Sequence, residues 1–364
     1  MCHRFLSRLI LLLASLCAAP GIAAQEQLNV VSWDGAYVRS QVLGFIRDYE
    51  EETGVRVNVI QYSGGIDEIR QQVRAWNVQW DVVDLEMFDA IRACEEGLLE
   101  PMDHSLLPPG EDGTPASEDF IGVSLTPCGV GNMVGATVVS YDHERLDRPP
   151  QSIADFFDLN AFPGRRGLRR TPQGNLEWAL VADGVPRDRV YEVLSTEEGL
   201  DRAFAMLDRI KPYVDWWRTG EEALRLLETG AVTMSSVYSG RILAAQERGE
   251  TLAILWDHQV WFYDVWGVPR NGRNTERAMD FVRYATTTQA LARQASYIPY
   301  GPVRRSSIEQ VPEAMRPMLP TAEQNQETAI ELNVRWWSEN LEHVNRRFER
   351  WVDRPVMVPR ALPR

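Results

Sequence analysis

Aromatic rings and ionisable groups gather in six short stretches of this sequence, residues 33–37, 62–65, 86–88, 172–177, 238–241 and 261–264. Each follows or ends a run with the pattern of a β-strand, and in an open α/β sheet ligands lie beyond the carboxyl ends of the strands. Any one of these rings could simply close a sheet edge. Their coincidence at six strand ends points instead to a recognition site. The chemistry on offer is binding, because nothing in the chain sets a nucleophile against a base.

Motifs for catalysis are missing or fail on context. There is no Gly-x-Ser-x-Gly, no His-Glu-x-x-His and no phosphate-binding loop ending in Gly-Lys-Ser/Thr. His104, His143, His258 and His343 stand singly in polar surroundings. Gly129, Gly131 and Gly135 approximate a dinucleotide fingerprint, but Ala136-Thr-Val-Val-Ser follows, a strand-like run where that motif needs a helix. Glu50, Glu51 and Glu52 read as the solvated end of a helix. No cofactor and no metal site is expected.

The elements that must position the six stretches alternate between the two periodicities. Residues 28–32, 55–62 and 81–85 are β-like, and each precedes a helical pattern, the first carrying Val38, Val42, Phe45, Ile46 and Tyr49. The β-α-β-α-β-α order implies a parallel sheet with helices on its faces. The second half repeats it, with strands at 136–141, 168–171, 232–238 and 252–256 and helices at 152–158, after Asn175 and at 240–248. Ser195-x-x-Glu198 and Thr219-x-x-Glu222 have the spacing of capping boxes. Ile330, Val334, Trp337, Leu341, Val344 and Phe348 trace the apolar face of a long helix docked on a core.

The first 24 residues have the features of a secretory leader: His3, Arg4 and Arg8, an apolar run over 9–19, and Ala23-Ala24 before Gln25. That run is shorter than the roughly 20 residues a bilayer span needs. Leu16 precedes Cys17 where a lipidated cysteine would want a small residue. Loss of Arg4 and Arg8 with the leader takes the formal net charge from −14 to −16, which argues against nucleic acid as a partner. Cys2 and Cys17 leave with the leader as well. Cys94 and Cys128 remain, an even pair in an oxidising compartment, and are expected to form a disulfide. A mature chain of about 340 residues exceeds one comfortable core, so two domains are expected.

Several segments resemble the spermidine/putrescine-binding proteins of bacterial ABC importers: Val31-Ser-Trp33, Glu52-Thr-Gly-Val-Arg-Val57, Trp80-Asp-Val-Val83 with Glu96-Gly97 beyond it, and Gly135-Ala-Thr137. Val237-Tyr-Ser-Gly240, Phe262-Tyr-Asp264 with Val268-Pro269, and Tyr297-Ile-Pro299 continue the resemblance, which spans about residues 28–305. It implies an α/β architecture, the type II periplasmic binding fold, with two lobes around a ligand cleft. The lobes would be 25–125 with 262–305, and 126–261 with 306–364. It also implies a periplasmic, monomeric carrier, not an enzyme, that hands a polyamine to an inner-membrane ABC permease.

The family's cleft residues carry over as follows. Trp33 and Tyr37 match the first aromatic pair, with one extra residue between them here. Phe88 stands where the family has a tyrosine, and Tyr238 and Phe262 where it has tryptophans. Tyr297 matches directly, and Asp264 matches the principal amine-binding aspartate. The family's second carboxylate site reads Gln173-Gly-Asn175 here, which leaves Glu177 as the nearest acid. A desolvated ammonium needs a paired anion, and aromatic walls add cation–π attraction of about 0.5–2 kcal/mol per contact. Arg169, Arg170 and Arg241 stand near the expected cleft, where a polyamine would not welcome them. A zwitterion such as a γ-amino acid would use an arginine for its carboxylate. A secreted α/β enzyme and a protein-interaction module are rival readings, and turnover of an amine would favour the enzyme.

Overall fold

The computed structural model describes residues 26–355. The expected leader and Cys17 lie outside the described residues. Ten strands form one sheet: β1 (Gln27–Ser32), β2 (Arg56–Gln61), β3 (Val82–Glu86), β4 (Leu125–Thr126), β5 (Gly129–Asp142), β6 (Arg166–Arg169), β7 (Val214–Trp217), β8 (Met234–Tyr238), β9 (Leu252–Gly267) and β10 (Ile330–Glu331). The order is β2-β1-β3-β9-β5-β8-β6-β7, with β4 paired to β5 and β10 to β9.

Two trios of strands are parallel, as the alternation of elements implies: β2-β1-β3 at one end and β8-β6-β7 at the other. All five residues of β3, in the interior of the sheet, are buried, whereas the edge strand β2 has none buried. Between the trios runs the long antiparallel pair β5 and β9. Of these strands the sequence leads one to expect 136–141, 252–256 and a run leading to Pro269, within a parallel sheet, so this long antiparallel pair is a correction. β9 looks shorter in sequence because it is interrupted. Its register on β5 jumps from Val260 opposite Thr137 to Leu255 opposite Val139, and His258 sits at φ 54°.

Hydrophobic packing divides along the sheet. One core joins Leu28, Val31, Phe45, Leu85, Trp266, Phe281 and Val303. A second joins Val139, Phe156, Leu168, Trp178, Met234, Trp337 and Phe348. The helix Val334–Val352 buries Trp337, Leu341, Val344, Phe348 and Trp351 along one face, as its spacing requires. Its start is capped by Asn333 Oδ1, which accepts from the Trp336 N–H at 2.9 Å.

The capping box at Thr219 is present: Thr219 Oγ1 accepts from the Glu222 N–H, and Glu222 Oε2 accepts from the Thr219 N–H, each at 3.3 Å. The box expected at Ser195 is not. Thr196 caps that helix instead, accepting from the Gly199 N–H at 3.0 Å, while Ser195 Oγ donates back to the Tyr191 carbonyl. Cys94 and Cys128 form a disulfide, tying the helix Met87–Glu95 to the start of β5. No helix of the described residues is long and apolar enough to cross a membrane.

Candidate functional site

The strand ends of the two trios face one another across a cavity of about 40 Å³, room for roughly three or four waters. From one side β1 delivers Trp33 and Asp34, β2 leads to Tyr62, and β3 ends on Glu86. From the other, β6 ends on Arg169, β7 leads to Arg218 and Gly220, and β8 ends on Tyr238 with Arg241 one turn into the next helix. Phe262 and Asp264 of β9, Tyr37 and Tyr300 complete the wall.

Aromatic rings make the apolar part. Trp33 lies 5.0 Å from Tyr62 between ring centroids, while Tyr238 meets Phe262 edge-on at 5.9 Å and Tyr37 meets Tyr300 at 5.7 Å. Burial, more than any neighbouring charge, pushes the Tyr37, Tyr238 and Tyr300 phenols above the ordinary tyrosine value, so they stay neutral. The indole N–H of Trp33 is buried without a partner.

The acidic side is built by strand register. Glu86 and Asp264 are direct partners across β3 and β9, so their side chains emerge on one face as neighbours. Asp264 is 2% exposed, its Oδ1 has no hydrogen-bond partner, and no ion pair reaches it among the described residues. Burial, and then the charges of Asp84 and Glu86, push its carboxyl well above the usual carboxylate range. Asp84 lies behind it, raised to about 6 by burial, although Tyr37 Oη and Gln41 Nε2 both donate to its Oδ2 at 2.8 Å. A carboxyl group buried in this way either keeps its proton or takes up a cation.

The basic side centres on Arg241, whose side chain is 3% exposed. Its Nη2 donates to Asp34 Oδ1 at 2.5 Å and its Nη1 to Glu221 Oε1 at 2.9 Å, while Nε is buried without a partner. Two glycines make room for it. A Cβ on Gly35, which has φ +62°, would fall 2.8 Å from Nη1, and one on Gly220 would fall 2.0 Å from Nε. Arg169 Nη1 donates to Glu86 Oε1 at 2.7 Å. Arg218 is exposed, with no acid paired to its guanidinium among the described residues. Three acids and three arginines therefore line the cavity, and Asp264 is the charge that no arginine answers.

A model described as "Bacterial extracellular solute-binding protein" matches residues 44–321 of the chain. The chain belongs to the bacterial extracellular solute-binding protein family. This solute-binding protein is 37% identical over 337 residues to the "Gamma-aminobutyric acid-binding protein" of Pseudomonas aeruginosa, covering 93% of this chain and 94% of that one. Among solved structures it is similar to the Atu4243 GABA receptor, at 28% identity and a TM-score of 0.80 over 91% of this chain and 99% of that one. It is also similar to the periplasmic binding protein AgtB of A. tumefaciens R10 in complex with agropinic acid, at 25% identity and a TM-score of 0.81 over 90% and 99%. The fold is that of the periplasmic binding proteins. It is a carrier of the ABC-transporter type and not an enzyme: such proteins bind a small ligand and deliver it to a membrane permease.

Of the residues carried over from sequence, the solute-binding protein brings Trp33, Tyr37, Tyr238, Phe262 and Asp264 together at the cavity. Phe88 is buried on the helix Met87–Glu95 and borders a separate, outer cleft. Glu177 lies away from the cavity and is fully engaged. Its Oε2 accepts from the Gly174 N–H, and its Oε1 from Tyr191 Oη and Trp337 Nε1, each at 2.8 Å. Tyr297 is 49% exposed at the end of the helix Thr288–Tyr297, and Tyr300 supplies the ring at the cavity instead. Tyr62, Glu86, Arg218, Gly220 and Tyr300 are absent from the carried-over set. The capping box at Thr219 was the available signal for two of them, since it marks a helix start immediately after a strand end.

Proposed function

We propose that this solute-binding protein is the periplasmic component of an ABC importer for a short ω-amino acid, a zwitterion of the γ-aminobutyrate class. The ammonium is held at Asp264 beside Glu86, against Trp33 and Phe262. The carboxylate is held at Arg241, with Arg218 at the rim. The observation that carries this reading is the pairing, in one cavity, of a buried carboxylate without a partner and a buried arginine with an unsatisfied Nε. Each has a use for one end of such a ligand. The 37% identity to a γ-aminobutyric acid-binding protein supports it.

A polyamine is the second reading, supported by the resemblance across residues 28–305 and by Asp264. Its further ammonium groups would face Arg169, Arg218 and Arg241, and the balanced lining offers no surplus of acid to hold them. In this account the two hydrophobic cores belong to two lobes that close on the ligand, and β5 and β9 are the segments that cross between them. Thermal-shift and titration measurements with γ-aminobutyrate, α-amino acids, putrescine and spermidine test the assignment. The largest stabilisation is expected from γ-aminobutyrate, and tighter binding of putrescine or spermidine would overturn it.

A further inference from the structure

The cavity does not end at its own wall. Beyond it lies an outer cleft of about 460 Å³, bounded by the turn after β2, the helix Met87–Glu95, the segment after β6 and the helix Val334–Val352. Only Ser63, Glu86 and Arg169 line both spaces. Glu86 ends β3 and Arg169 ends β6, and their side chains meet at 2.7 Å with each 11% exposed. A single ion pair therefore stands between a small inner chamber and a cleft of larger volume.

The bridge is held firmly on the arginine side. The Arg169 N–H donates to Ser236 Oγ at 3.1 Å, its carbonyl accepts from Asn175 Nδ2 at 2.7 Å, and its guanidinium lies 5.6 Å from the Tyr238 ring centroid. On the outer side, Thr171 Oγ1 and Gln173 Oε1 border the cleft, buried and without hydrogen-bond partners. A ligand too long for the inner chamber would have to part Glu86 from Arg169. That would strip a buried carboxylate of its cation directly beside Asp264, where breaking one partner of a buried pair is strongly unfavourable.

We propose that the Glu86–Arg169 bridge is a specificity determinant that limits the length of the ligand by closing the inner cavity against the outer cleft. The inference rests on the reading of the cavity as a site for a short ω-amino acid. Removing the arginine side chain joins the two spaces, and a longer chain then reaches Thr171 and Gln173.

The test is titration calorimetry with γ-aminobutyrate, δ-aminovalerate and ε-aminocaproate, and in parallel with the α,ω-diamines of matching length. Wild-type protein is expected to bind the shortest member at least about tenfold more tightly than the longest, and Arg169→Ala to bring that ratio within about threefold. Glu86→Gln, which keeps an oxygen to accept from Arg169 but removes the charge pairing, should narrow the ratio less than Arg169→Ala does. Arg169→Met keeps the aliphatic stem and replaces the alanine variant if thermal melting shows that one unfolded. An unchanged length ratio in the arginine variants, or a flat series in the wild type, overturns the partition. Binding of the diamines in place of the amino acids overturns the proposed ligand class while still testing the partition on the diamine series. Binding of neither series to the wild type overturns both.

Discussion

Replacing Asp264 by asparagine removes one charge with almost no change of shape. In the empty protein this carboxyl group is 2% exposed, its Oδ1 has no hydrogen-bond partner among the described residues, and it faces Glu86 directly across β3 and β9. On the proposed reading the ammonium of the ligand is its partner, and breaking such a buried pair costs about 3–5 kcal/mol. At about 1.4 kcal/mol per decade, Asp264→Asn should weaken γ-aminobutyrate binding by roughly 10²-fold or more in calorimetry. The empty variant should melt within about 2 °C of wild type or above it, because the amide, like the protonated acid, buries no charge and never ionises. Its pH behaviour follows from the raised folded-state value of Asp264, set first by burial and then by Asp84 and Glu86. The folded protein keeps a proton that the unfolded chain has already lost. This group's contribution to stability is therefore largest in acid and is lost as pH rises through the raised value. Wild type should gain affinity over that same rise, as the carboxylate ionises, and Asp264→Asn should not share the gain. Near-wild-type affinity together with a lowered melting temperature would refute the reasoning and make Asp264 a structural residue.

Arg241→Lys keeps the charge but loses the planar fork, and should weaken γ-aminobutyrate at least about tenfold while leaving binding of a simple amine little changed; equal losses for both would contradict its role at the carboxylate. The Cys94–Cys128 bridge closes a loop of sequence separation 34, so its reduction should lower stability by about 2–4 kcal/mol in denaturant titration. An identical transition with and without reductant would contradict that. Solution scattering should give a smaller radius of gyration at saturating ligand than without, and an unchanged radius would count against lobe closure.

The strand-end loops were legible because β-branched runs, turn glycines and helix starts are local features, and parallel strands present their carboxyl ends together. Asp264 is placed by resemblance instead, since it lies inside the antiparallel strand β9 and not at a strand end. What failed depended on contacts remote in sequence. Glu177 has the spacing of a cap to Gly174, and only the fold shows its other oxygen spent on Tyr191 and Trp337. Tyr297 and Tyr300 both flank the buried Ile298, and the end of the helix at Tyr297 turns the later ring toward the cavity. The full length of β9 was hidden by the left-handed backbone at His258. The bridge from Glu86 to Arg169 spans 83 residues of sequence and has no local signature at all.

The claim that the cavity holds both ends of a zwitterion is tested most directly by taking the ligand apart. Titration of the wild-type protein with γ-aminobutyrate, butylamine and butyrate compares the whole with each half. The account predicts that each fragment binds at least about 10²-fold more weakly than the amino acid, since each forgoes the contact at one end of the site, Arg241 or Asp264. Butylamine binding as tightly as γ-aminobutyrate would contradict it, because the arginines would then contribute nothing to recognition.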